Sequence, residues 1–248
     1  MASSKQEYDK WHESMAAAEQ GPDGARLQPW HETVLKLLPD LNGRDVLEIG
    51  CGRGDFAFEL IRRYPLARIH GVDFSEKAIE IARQRSAKSE ARIEFSVGDA
   101  QVLPHAAQSF DWIVSCECME HVPSPEAMAR EVYRLLRPEG RFVLTTENYF
   151  NGMVLGWLNC WIKGVPFNSG SGLQPTEHFF VFFKVRKILS KAGLMIRHMQ
   201  SNHYQWLLLP GVDPAKLCTR DVRSPILKWL FRPFGRHFTY VGERGGKL

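Results

Sequence analysis

The sequence predicts an α/β domain built on a doubly wound parallel sheet, and three observations carry that prediction. The first is the stretch Val46–Phe56 (VLEIGCGRGDF): an apolar run becomes a turn with glycines at 50, 52 and 54, then leads into the apolar-periodic segment Phe56–Arg63. This reads as a buried strand, a tight turn and a helix start, with glycine where the backbone takes positive φ or a ligand approaches it closely. The second is the regular alternation of short apolar runs with helical patterns along residues 46–146. The third is that each run ends in polar residues, at the carboxyl ends of strands where open α/β sheets bind their ligands.

In chain order, Tyr8, Trp11, Met15 and Ala18 stand at helical spacing and predict an amphipathic helix over 5–20, broken at Gly21-Pro22-Asp23-Gly24. A second helix follows at about 27–38. After the glycine turn, Phe56, Leu60 and Ile61 face inward. The second strand, Ala67–Val72, ends in Asp73, about 20 residues past the glycines, where a ribose-binding acid is expected in a βαβ unit. Ser75 caps a helix over 75–86 that buries Ala78, Ile79 and Ala82. Further strands are predicted at Ile93–Val97, ending in Gly98-Asp99-Ala100, and at Asp111–Ser115, ending in Cys116-Glu117. Pro125 opens a helix over 125–137, and the turn Arg137–Gly140 leads to a fifth strand, Arg141–Thr146.

Beyond it the pattern changes. Residues 148–183 and 203–235 read as two insertions rich in aromatics, among them Tyr149, Trp157, Trp161, Trp206 and Trp229. Between them a helix over 184–193 and a strand over 195–200 are expected, and Phe238–Val241 makes the last strand. The domain organisation expected is a single unit over 1–248: cap helices over 1–40, a ligand-binding core over 41–147, and the two insertions on the substrate side.

Composition narrows the class. The 248 residues suffice for one sizeable core, and a net charge of +4 without a dense Lys/Arg run gives no nucleic-acid signature. The five cysteines (Cys51, Cys116, Cys118, Cys160, Cys218) form neither CxxC nor paired zinc spacings, so reduced thiols in a cytoplasmic protein are expected. The polar start MASSKQEYDKWHES lacks a signal core, and no run approaches a membrane span; peripheral membrane contact is left open.

Four segments in order, VLEIGCGRG at 46–54, GVDFS at 71–75, GDAQVLP at 98–104 and LRPEGRFVL at 136–144, resemble the class I S-adenosylmethionine (SAM)-dependent methyltransferases, over about Leu41–Gly193. Within them the chain looks like the small-molecule type, similar to the ubiquinone and menaquinone biosynthesis group. The GxGxG spacing departs from the GxGxxG of nicotinamide enzymes. The resemblance implies a seven-stranded Rossmann-like sheet with helices on both faces, the last strand antiparallel between strands five and six, and a cap formed by the N-terminal helices and both insertions. It also implies SAM as cofactor, with S-adenosylhomocysteine as product. Gly50, Cys51 and Gly52 would then lie against the methionine moiety, Glu48 would orient the loop or the amino group, and Asp73 would bind the ribose hydroxyls. Phe74 would flank the adenine, Asp99 would accept from its amine with Ala100 beside it, and Cys116 would contact the methionine part through its main chain.

Methyl transfer is an in-line displacement, so the enzyme must chiefly align the groups and exclude water; a base is needed only where the acceptor loses a proton. The sharpest candidate constellation is Glu117-Cys118-Met119-Glu120-His121, an ExxEH whose side chains could share a face of a helical turn. It resembles the ExxEH of ubiquinone-biosynthesis O-methyltransferases and of small-RNA 3′-terminal 2′-O-methyltransferases, in which these residues can ligate a metal, with His178 the natural fourth ligand. Glu117, Glu120, His121 and His178 are therefore the catalytic candidates. A divalent metal is compatible with them but is not the favoured reading, and no metal ligands are assigned. The expected activity is methyl transfer to a small apolar or aromatic metabolite at oxygen, with no nucleic-acid partner. The alternatives are an N- or C-methyltransferase of a specialised metabolite, an RNA 2′-O-methyltransferase, or a non-catalytic SAM-binding scaffold. Neither the acceptor nor the oligomeric state follows from the sequence.

Overall fold

The computed structural model describes residues 9–10, 27–89, 92–148, 161–162, 164, 178, 180–204, 226, 233 and 235–246. Of the predicted helix over 5–20, only Asp9 and Lys10 are among them, both helical; most of the two insertions falls outside the described residues.

The elements are α1 (Pro29–Leu37), β1 (Asp45–Ile49), α2 (Asp55–Arg63), β2 (Arg68–Asp73), α3 (Glu76–Ser89), β3 (Ile93–Val97), β4 (Phe110–Cys116), α4 (Pro125–Leu135), β5 (Leu136–Glu147), α5 (Phe182–Lys191), β6 (Leu194–Tyr204) and β7 (Gly235–Arg244), with a 3₁₀ turn at Met119–His121. The sheet has seven strands in the order β3-β2-β1-β4-β5-β7-β6. Strands β1 to β5 are parallel, and β7 runs antiparallel between β5 and β6. This is the predicted doubly wound architecture. The strand order reverses between β1 and β4, so the crevice at their carboxyl ends is the topological switch point.

Both faces are covered, which is why β1 and β4 are buried along nearly their whole length rather than on alternate residues. On one face Val46, Val114 and Val143 pack with Val34 and Leu35 of α1, Phe56 and Leu60 of α2, and Ile79 and Ala82 of α3. On the other, Leu47, Ile113 and Phe142 pack with Met128 and Val132 of α4 and Val185 and Leu189 of α5. Helix starts follow local chemistry: Ser124 accepts a hydrogen bond from the Ala127 N–H, and Pro125 occupies the first helical position. The last two strands run longer than predicted because they pair with each other from Leu194–Arg244 to Tyr204–Gly235. Their ends carry polar residues such as Asn202 and His237, which hide a strand from an apolar-run reading.

Gly242 of β7 is fixed by close approach. It stands opposite Phe142 of β5 and Ile196 of β6, and an added Cβ would lie 2.2 Å from the Met195 carbonyl oxygen. Overpacking of this kind costs about 1–3 kcal/mol. Gly242→Ala should therefore lower the melting temperature by about 2–12 °C. A melt within about 1 °C of wild type would contradict this packing of β7.

Candidate active site

The site is built at the carboxyl edge of the sheet, beginning with the turn after β1. Gly50, Gly52 and Gly54 all have positive φ (77°, 52° and 82°). At Gly50 glycine is required twice over, since an added Cβ would also lie 2.7 Å from the Cys118 sulfur. The turn is tied to the neighbouring strand. The N–H groups of Gly50 and Cys51 both donate to the Val72 carbonyl, at 2.8 and 3.0 Å, and the Gly52 N–H donates to Asp73 Oδ2 at 2.8 Å.

Asp73 does more than hold the turn. Its Oδ1 accepts from the Ser75 N–H at 2.9 Å, and the Ser75 hydroxyl in turn accepts from the Ala78 N–H at 3.1 Å, capping α3 as predicted. The same hydroxyl donates to Asp9 Oδ1 at 2.5 Å, so Asp9 lies beside the Asp73 strand end. Phe74 is 36% exposed there, an aromatic surface open to a planar ligand. At the end of β3, Asp99 Oδ1 accepts from the Gln101 N–H at 2.9 Å, and the Gln101 side-chain amide donates to both Asp99 oxygens at 3.0 Å. Gln101 Oε1 accepts from the Ser124 N–H at 2.9 Å, fixing Asp99 relative to the start of α4. Ala100 beside it is buried.

Glu48, at the foot of the glycine turn, is 3% exposed. The Ala57 N–H of α2 donates to its carboxyl group, while Oε2 is buried without a hydrogen-bond partner among the described residues. Burial above all, then the charges of Asp55 and Asp73, pushes this carboxyl well above the usual carboxylate range. A buried acid oxygen of this kind fits a cationic donor such as an ammonium group. Cys51 and Cys116 are buried, and burial likewise raises both thiols, which makes them space-filling groups rather than nucleophiles.

The ExxEH residues do not share a face. Glu117 adopts a left-handed conformation (φ 49°), its N–H held 3.2 Å from both the Thr145 carbonyl and the Thr145 hydroxyl. Its Oε2 pairs with His237 Nδ1 at 3.2 Å. Glu147 stands directly opposite His237 in the β5–β7 ladder, and one ligand atom from each of Glu117, Glu147 and His237 lies within 4.8 Å of the others. The Trp30 ring of α1 packs on the His237 ring, centroids 5.0 Å apart. Glu120 instead takes the opposite face: its Oε2 accepts from the Thr146 hydroxyl at 3.0 Å, and its Oε1 is buried without a partner among the described residues. The His178 N–H donates to the Glu120 carbonyl at 2.7 Å, and its Nε2 donates to the Val122 carbonyl at 2.9 Å. That makes His178 a brace for this loop. His121 remains half-buried at the mouth of β4. Three contributors were missed from sequence: Gln101, Glu147 and His237. Glu147 ends a recognisable strand and was open to the same strand-end logic as Asp73. His237 precedes the predicted last strand and carried no local signal.

A family model described as a methyltransferase domain matches residues 46–140, which include the glycine turn, Asp73, Asp99 and the ExxEH but not Glu147 or His237. The chain is 33% identical over 108 residues to the ubiquinone biosynthesis O-methyltransferase of Coxiella burnetii, 44% of this chain and 45% of that protein. It is 34% identical over 215 residues to methyltransferase GfsG of Streptomyces halstedii, 83% of this chain and 74% of that one. The chain spans about half the length of the first curated relatives it matches. A chain of the Haloferax volcanii complex between the Trm112 methyltransferase activator and a methyltransferase has a TM-score of 0.66 at 21% identity, with 98% of each chain covered. That last likeness is one of fold.

Glu120 supplies a pH test. Burial first, then the charge of Glu117, pushes its carboxyl up from 4.5 to about 8. An acid raised in the folded state binds its proton more tightly there than when unfolded. Its contribution is thus fully present below 4.5 and is lost as pH rises through about 8. Glu120→Gln should flatten the decline in melting temperature across that window relative to wild type. Parallel pH curves for the two proteins would show that Glu120 is not buried as its neutral acid.

Proposed function

The chain belongs to the class I SAM-dependent methyltransferases, and on that premise we propose that it moves a methyl group from SAM to a hydroxyl of a small apolar or aromatic metabolite. The observation that carries the cofactor assignment is the pairing of a buried, unsatisfied Glu48 oxygen with an Asp73 carboxylate locked to the glycine turn. Glu48 meets the ammonium end of the methionine moiety, which returns its carboxyl to the ionised form. Gly50, Cys51 and Gly52 bring backbone against that moiety, and the main chain of Cys116 borders it. Asp73 already accepts one N–H on each oxygen, and its remaining lone pairs suit a vicinal diol such as the ribose hydroxyls. Phe74, Asp99 and Ala100 form the adenine end.

SAM supplies a methyl carbon activated by positive sulfur. The protein's task is to place an acceptor in line with it and keep water out. We place the acceptor at the mouth of β4 and β5, where Glu117, Glu147 and His237 come together and Trp30 packs on the His237 ring. His121 takes the hydroxyl proton, while Glu120 and His178 brace the loop that carries it. The name of the Coxiella relative, an O-methyltransferase, supports oxygen as the target. Separation of Glu120 and His178 from Glu117 weighs against an RNA 2′-O-methyltransferase that uses ExxEH as its metal site. Docking of Asp9 on Ser75 supports the N-terminal segment as part of the cap. The described residues contain no helix long and apolar enough to cross a membrane.

Incubation with methyl-labelled SAM and a panel of hydroxylated apolar acceptors should yield a labelled ether. His121→Asn should lower kcat on that acceptor by about 10²–10⁴-fold with little change in KM for SAM. Label appearing only on RNA or protein would sink the small-molecule reading. Label on nitrogen or carbon alone would replace the oxygen assignment.

A further inference from the structure

We propose that Glu117, Glu147 and His237 form a binding site for one divalent transition-metal ion, of the Mn²⁺ or Zn²⁺ class, at the acceptor edge of the sheet. The three come from three separate strand ends, β4, β5 and the start of β7. The fold, rather than a local motif, brings them together. Two carboxylates and one imidazole are an oxygen-rich, borderline donor set suited to such ions. Ligands about 2.1 Å from a shared ion lie roughly 3.0–3.4 Å from one another. The Glu117–His237 contact of 3.2 Å is already at that spacing, and all three ligand atoms lie within 4.8 Å of one another.

The surroundings hold the donors in place. His237 is 4% exposed, and Trp30 packs on its ring. The Asn148 side-chain amide donates to the Pro233 and Gly235 carbonyls, at 2.9 and 2.8 Å, which anchors the chain just before His237. Glu147 and His237 are cross-strand partners and so project to the same face. This set is not the one the sequence suggested. Glu120 is bound to Thr146 on the opposite face and the His178 ring to Val122, so of the ExxEH acids only Glu117 is in the cluster. Three protein ligands leave positions open for a substrate oxygen, whose proton a bound cation would loosen. The site itself rests on geometry alone; its use in methyl transfer rests on the function proposed above.

The test uses the full chain, stripped with EDTA and titrated with MnCl₂, followed by the electron paramagnetic resonance of free Mn²⁺, and with ZnCl₂ by calorimetry. The expected result is one ion per chain for at least one of the two metals. Glu147→Gln and His237→Gln should each weaken binding by about tenfold or more. Glu120→Gln should leave it unchanged. Binding of S-adenosylhomocysteine and the melting curve, followed in parallel, show that each variant is folded and whether the cofactor assignment stands by itself. Absence of saturable binding to wild type would overturn the site and leave a simple Glu–His ion pair. So would equal binding in Glu147→Gln and His237→Gln, or loss in Glu120→Gln, which would return the metal to the ExxEH.

Discussion

One hydrogen bond organises the functional edge of this molecule: the Gly52 N–H to the Asp73 carboxylate, 21 residues away in sequence. It joins the turn after β1 to the end of β2, beyond the last register pair Ile49–Val72. With Gly50 and Cys51 both donating to the Val72 carbonyl, the glycine turn becomes an extension of the sheet rather than a free loop. The other Asp73 oxygen launches α3 through Ser75, and Ser75 receives Asp9 of the N-terminal segment. One side chain therefore ties together the shape of the turn and the start of a helix. The function proposed for Asp73 uses the lone pairs these bonds leave over.

A second constraint is electrostatic. Glu48 and Glu120 are both almost fully buried near the strand ends, and burial raises both carboxyls, reinforced by neighbouring acids. An edge so rich in buried acid is poorly solvated without a counter-charge, because isolated carboxylates are costly to bury. The two reach different solutions. Glu120 gains the Thr146 hydroxyl, while one Glu48 oxygen stays buried without a hydrogen-bond partner among the described residues. Glu117 follows a third route and pairs with His237.

The core of this arrangement was legible because its signals are local. The glycine turn, Asp73 and Asp99 each sit at the end of an apolar run, and the alternation of runs with helical patterns implies the parallel sheet. The fate of the ExxEH was not legible, because it turns on the backbone of one residue. The left-handed conformation of Glu117 swings its carboxylate to the α1 face, away from Glu120, and nothing in the spacing marks a glutamate for positive φ. His237 was hidden for a different reason. Its contacts reach back 120 residues to Glu117 and 207 to Trp30, and a strand ladder, not a motif, delivers it there. Gln101 reads as a plain loop residue until its amide is seen between Asp99 and Ser124.

The central claim is that the Asp73-locked turn is the seat of SAM. Calorimetric titration of S-adenosylhomocysteine into wild type and Asp73→Asn tests it directly, since asparagine keeps the size but loses the charge and one acceptor. The account predicts saturable one-to-one binding to wild type and a dissociation constant at least about tenfold larger in the variant, about 1.4 kcal/mol or more. Equal affinity in the two proteins, or no binding to wild type, would contradict it.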